Sequence, residues 1–230
     1  MVIDLKTLYG AEATEQQKRY EELSAYFAEE FGDANALSYF SAPGRTEVGG
    51  NHTDHNNGKV LAAAVNLDVI AAVKKTENGV IRLKSVGFPM DTVDTADLNV
   101  QEAEKERSAS LIRGVCARLK ALGYEVGGFD AVTTSRVLKG SGLSSSAAFE
   151  VLVVTILSHL YNNDAIDPVP KTCTSASLPA YSTRWRRVWA ALRRWTLKTF
   201  PRRRLRRSIL TLTVTAMRCA SSIRAETMLT

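Results

Sequence analysis

The chain has 230 residues, 45% of them hydrophobic and 23% charged, which fits a globular protein and excludes a low-complexity or fibrous one. No apolar run reaches the roughly 18 residues that a membrane span needs, and the N-terminus lacks the basic start and apolar core of a secretory signal. The formal charge of +6 hides a division: from residue 170 onward there are twelve arginines and two lysines against one acid, Glu226, so the remainder is acidic overall. Three cysteines, Cys116, Cys173 and Cys219, show no metal-type spacing, and their odd number argues against a disulfide framework. A reducing, cytoplasmic setting is expected.

In chain order, Tyr20, Leu23, Tyr26, Phe27 and Phe31 recur at helical spacing and predict an amphipathic helix over 11–31. "LSYFSAPGR" predicts a strand ending at a Pro-Gly turn. The mostly apolar "GKVLAAAVNLDVIAAVKK" predicts a strand buried in a sheet. An Asn-Gly turn precedes the alternating "GVIRLKSVGF", a further strand. Leu111, Val115, Leu119 and Leu122 predict a helix stopped at Gly123. "GFDAVTTSRVL" predicts another strand, and a helix is expected from Ser145 to Tyr161. The order of elements up to residue 169 predicts an α+β domain.

The stretch "KGSGLSSSAAFEV" places two glycines and three serines immediately before that last helix. Glycine lets backbone amides approach a ligand closely. A helix N-terminus adds unpaired N–H groups and partial positive charge. Together these suit a phosphate group. Ser144, Ser145 and Ser146 can cap the helix or offer hydroxyls to phosphate or metal. A Ser-capped helix after a glycine turn is the simpler alternative. The Gly-Lys-Ser/Thr ending of a Walker loop is absent.

A second motif, "APGRTEVGGNHTDHNNGKVLAAAVNLD", gathers Arg45, His52, Asp54 and His55 in a glycine-rich segment. Aspartate and imidazole groups can hydrogen-bond vicinal hydroxyls, and an arginine can stabilise a transferring phosphoryl group. A polar surface loop between strands is the alternative.

Both motifs carry a resemblance. "GSGLSSSAA" resembles the phosphate loop of the galactose, homoserine, mevalonate and phosphomevalonate kinase superfamily. "GRTEVGGNHTDHN" is similar to the galactokinase signature G-R-V-N-L-I-G-E-H-T-D-Y-N. The resemblance covers roughly residues 20–169. It implies a two-lobed small-molecule kinase fold of which the N-terminal lobe is present, with a sugar loop over 42–58 and an ATP loop over 139–147. It implies ATP over Gly140, Ser141, Gly142, Leu143, Ser144, Ser145 and Ser146, with Ser146 as the hydroxyl ligand to Mg²⁺. It implies Arg45 as the transition-state stabiliser, Asn51, His52, Thr53 and Asp54 at galactose, and Ser85 near the nucleotide. An ordinary strand serine is the stronger reading of Ser85. Two positions depart from the signature: Asn51 stands for its glutamate and Glu47 for its asparagine. The variant resembles that of some bacterial galactokinases. The family implies a monomer that phosphorylates galactose, with no nucleic-acid or membrane partner. The "GNHTDHNNG" segment argues against a superfamily kinase for another alcohol.

Residues 170–230 do not continue the resemblance. The family segment like "AENVYFGKPSGLLDQMAS", with its catalytic aspartate and second Mg²⁺ glutamate, is not present. Codons permitted for residues 170–177, read one base earlier, give E-N-V-Y-F-G-K. The same shift onward permits "PSGLLDQMAS". Near the end, "SIRAETMLT" permits "DTGGNHAD", again like a galactokinase. The expectation is an out-of-frame tail and a truncated, inactive chain. The alternatives are a basic nucleic-acid-binding tail, because arginine interleaved with tryptophan suits phosphates and bases, and a non-catalytic regulator that binds galactose and ATP.

Overall fold

The computed structural model describes residues 4–49, 61–138 and 142–166, together with the backbone pair Ile223–Arg224. The chain opens with a short helix α1 (Leu5–Tyr9), capped by the Asp4 carboxylate on the amides of Lys6 and Thr7. A single 3-10 turn, Gly10–Glu12, leads into α2 (Ala13–Phe31). The strands are β1 (Ser38–Gly49), β2 (Leu61–Lys75), β3 (Val80–Ser85), β4 (Met90–Asp94), β5 (Phe129–Ser135) and the two-residue β6 (Ile223–Arg224). Helix α3 (Ser108–Ala121) lies between β4 and β5, and α4 (Ser145–Tyr161) follows β5.

The strands form one sheet in the order β4-β3-β5-β2-β1-β6. The β1–β2, β2–β5 and β3–β4 pairs are antiparallel, and β3–β5 is parallel. The fold is a mixed α/β sheet with helices on both faces. Along β2, Val69, Ala71 and Val73 join a core with α3 and α4, while Ile70 and Ala72 join one with α2. Burial on both faces is why β2 reads as a nearly continuous apolar run. Its two partners are nevertheless antiparallel.

Helix α2 buries Gln16, Tyr20, Leu23 and Phe27 against this sheet, and Tyr26 remains exposed. In α3 the buried stripe is Ala109, Ile112, Cys116 and Leu119, with Val115 and Arg113. Relative to the expected stripe it is rotated by one residue, because Arg113 turns inward to a bidentate pair with Glu104. Leu122 is left at the surface.

The structure corrects the expected end of β1. The strand does not stop at Pro43-Gly44 but runs through them to Gly49. Pro43 pairs with Asp68, and the next regular pair is Arg45 with Ala64. Gly44 alone therefore stands against 65–67 of β2. This irregular step accommodates a proline, which has no N–H to give to the ladder.

Candidate functional site

The step in β1 brings the two sequence motifs together. The backbone N–H of Arg45 donates to the carbonyl of Leu143 at 3.0 Å. A Cβ on Gly44 would lie 3.1 Å from that same carbonyl oxygen and 3.1 Å from both Val137 methyls. Only a residue without a side chain fits there without displacement. The Arg45 side chain is half-buried beside this junction.

Leu143 and Ser144 form the described end of the glycine-serine loop. Gly142 has φ +76°, and Ser144 takes the left-handed conformation at φ 61°, ψ 52°. Helix α4 then begins at Ser145, as its sequence predicts. The expected side-chain cap is not formed: Ser144 is the N-cap residue, but its hydroxyl makes no capping hydrogen bond. A left-handed backbone turns the hydroxyl away from the amides that it would otherwise cap, since capping serines ordinarily sit in the extended region. The first turn of α4 holds no acidic residue. Among the described residues, the result is a 17-residue helix whose first turn carries neither a serine cap nor an acidic residue, a donor set that fits a phosphate group. Ser145 and Ser146 are half-buried in that turn. One turn on, on the face of Ser146, burial pushes the Glu150 carboxyl up to about 7.

Ser85 lies elsewhere. It ends β3, shares a hydrogen bond of 2.9 Å with Thr133 on β5, and is separated from β1 by β5 and β2. Asn51, His52, Thr53, Asp54, Gly140 and Ser141 lie outside the described residues, as does the whole 170–222 segment.

Sequence reasoning missed a buried polar cluster behind the step. Asp68, 3% exposed, accepts hydrogen bonds from Tyr9 Oη at 2.5 Å and Ser41 Oγ at 2.7 Å on Oδ2, and from Arg19 Nη1 at 2.9 Å on Oδ1. Tyr9 Oη also lies 3.0 Å from Tyr20 Oη. Burial pushes both phenols well above their usual range, reinforced at Tyr9 by the Asp68 charge and at Tyr20 first by Tyr9. An open hollow of about 160 Å³ adjoins the cluster, between Tyr9 and Pro43, Val65 and Asn66 at the step.

Two family models match the chain: the galactokinase galactose-binding signature over residues 25–75 and the GHMP kinase N-terminal domain over 110–172. The N-terminal part of this chain is similar to galactokinases. A curated galactokinase from Lactococcus lactis subsp. lactis is 36% identical over 142 residues, which is 61% of this chain and 36% of that protein. The crystal structure of a Lactococcus lactis galactokinase complexed with galactose superposes with a TM-score of 0.63 at 30% identity, over 68% of this chain and 42% of that one. The mevalonate kinase of Methanococcus jannaschii matches at a TM-score of 0.52 and 17% identity, over 61% of this chain and 46% of that one, a likeness of fold. The chain thus spans little more than a third of the length of the galactokinase it matches. Among the described residues no helix is long and apolar enough to cross a membrane.

Proposed function

We propose that residues 1–169 are the galactose- and ATP-phosphate-binding part of a galactokinase, whose full form transfers the γ-phosphoryl group of ATP to the anomeric hydroxyl of galactose. The observation that carries this reading is the 3.0 Å bond from the Arg45 amide to the Leu143 carbonyl. It holds the strand entering the sugar motif against the loop entering α4, so a sugar hydroxyl and a terminal phosphate can share one site.

In this reading the amides of 140–146 and the N-terminus of α4 cradle the phosphates. The Arg45 guanidinium neutralises charge on the transferring group, and Asn51, His52, Thr53 and Asp54 orient the sugar. Positioning and electrostatics of this kind supply most of the catalysis in phosphoryl transfer. Ser146 would hold Mg²⁺, which supplies positive charge at the phosphates when bound. Asn51, in place of the signature glutamate, offers a neutral contact to one hydroxyl.

Residues 170–230 are, in this proposal, an out-of-frame translation, and the chain as written does not turn over. The shifted reading in 170–177 and again in 222–230 supports this, both in one frame. Sequencing the gene and its transcript across codons 160–180 tests it. Recovery of an in-frame segment like "ENVYFGKPSGLLDQ" supports the proposal. Confirmation of the present frame in DNA and RNA, or galactose-dependent ADP release by the purified chain at an ordinary enzymatic rate, overturns it.

A further inference from the structure

We infer that Asp68 is a positioning residue for Arg45, an inference that rests on the reading of Arg45 as the phosphate-stabilising group. Asp68 is the cross-strand partner of Pro43, the last regular pair before the step that delivers Arg45. Its carboxylate binds a side chain from each of three elements: Tyr9 of α1, Arg19 of α2 and Ser41 of β1. Its own backbone carbonyl accepts the Arg136 amide at 2.9 Å, just beyond β5. Two helices and two other strand segments are thus tied at one point, two residues before Arg45.

The chemistry of the cluster explains why an aspartate is needed there. Both hydroxyls donate to Oδ2, and the Arg19 guanidinium donates to Oδ1. An ionised carboxylate accepts at both oxygens at once. An asparagine of the same size accepts at only one. If its oxygen faces Tyr9 and Ser41, its NH₂ group opposes Arg19. If it turns over, two buried hydroxyls lose their acceptor. Either arrangement leaves buried donors unsatisfied beside Ser41, and the end of β1 that fixes the step is no longer held on this face. The stress falls at Pro43–Arg45 rather than across the sheet, because β3 and β4 share no side chain with the cluster.

Amide hydrogen exchange of the full chain, comparing wild type with D68N, tests this. The Arg45 amide reports directly, through its bond to Leu143. Its exchange is expected to rise about tenfold in D68N while the amides of β3 and β4 keep their wild-type rates. Galactose affinity, measured by calorimetry on the same samples, is expected to fall. An unchanged Arg45 rate in folded D68N overturns the inference. So does an equal rise across β3 and β4, the signature of a merely structural role. If D68N does not fold, Y9F, which removes one of the three donors, is read by the same criteria, with a rise at Arg45 of about threefold expected and no rise overturning. If wild type binds neither galactose nor ATP, the functional reading of Arg45 fails, and the exchange ratio still decides whether Asp68 positions it.

Discussion

The Arg45 amide and the Leu143 carbonyl, 3.0 Å apart, join two motifs that lie nearly a hundred residues apart in the chain. Their approach is close because Gly44 carries no side chain. A Cβ there meets a backbone carbonyl, which cannot rotate away, and two Val137 methyls. G44A is therefore expected to cost about 1–3 kcal/mol by overpacking. Chemical denaturation checks this, and loss of protection at the Arg45 amide locates the damage.

Ser144 holds a left-handed backbone without using its hydroxyl as a cap. For a residue with a Cβ that conformation costs about 1 kcal/mol, and a glycine avoids the penalty. S144G is therefore expected to be neutral to about 1 kcal/mol more stable, because no capping bond is lost and the gain is offset by the larger unfolded-state entropy of glycine. If the strain serves the phosphate site, S144G weakens binding of Mg²⁺-ATP while leaving stability intact. Thermal melts and nucleotide titration of the same variant check both parts.

The elements that position the site were legible where pattern and burial agree. Helix α4 begins at Ser145 because a glycine-serine turn meets an apolar run, and nearly all of that run is buried. Strand β2 announces itself because both faces are covered. Strand β4 is silent because its pattern includes a buried Asp91, which takes the Ser108 hydroxyl at the start of α3, so the apolar signal shrinks to Met90 and Val93. The α3 stripe is misjudged by one residue because no local rule foretells an inward arginine paired with Glu104. Arg45 was singled out by its motif, and the structure places its amide against Leu143. Asp68 was not singled out, since Tyr9 lies 59 positions away and the quoted motif that ends on Asp68 gives no sign of the partners its carboxylate takes. Its one sequence signal is an aspartate inside a mostly apolar strand, a charge that burial forces to find partners.

Cys116 is wholly buried in the core between α3 and the sheet, and burial pushes its thiol up to about 12. The thiolate is the reactive form, so this cysteine is expected to resist alkylation at pH 8 in the folded chain and to react once urea unfolds it. Mass spectrometry of iodoacetamide-treated chain, mapped to the peptide holding Cys116, checks this. Labelling of that peptide at the same rate with and without urea would sink the assignment of Cys116 to a closed core.

Glu150 carries a pH dependence whose sign is fixed by its shift. Burial raises its folded pKa to about 7, above an ordinary carboxyl value near 4.5. Between those values the folded chain holds a proton that the unfolded chain has released. Stability from this group is therefore full below the lower value, falls as pH rises through the interval, and stays low above the upper one. E150Q removes the charge that burial disfavours while keeping the size. It is expected to match wild type near pH 4 and to exceed it by about 1–3 kcal/mol at pH 8. Urea denaturation at the two pH values checks this, and a variant no more stable at pH 8 than at pH 4, relative to wild type, would place Glu150 in a solvated or paired setting instead. Because Glu150 sits one turn beyond Ser146 on the same face of α4, ionisation of its carboxyl as pH rises through about 7 brings negative charge toward the end of the helix proposed to hold phosphate. Mg²⁺-ATP affinity of wild type is accordingly expected to decline from pH 6 to pH 8 more steeply than that of E150Q, a difference that parallel titrations at the two pH values read directly.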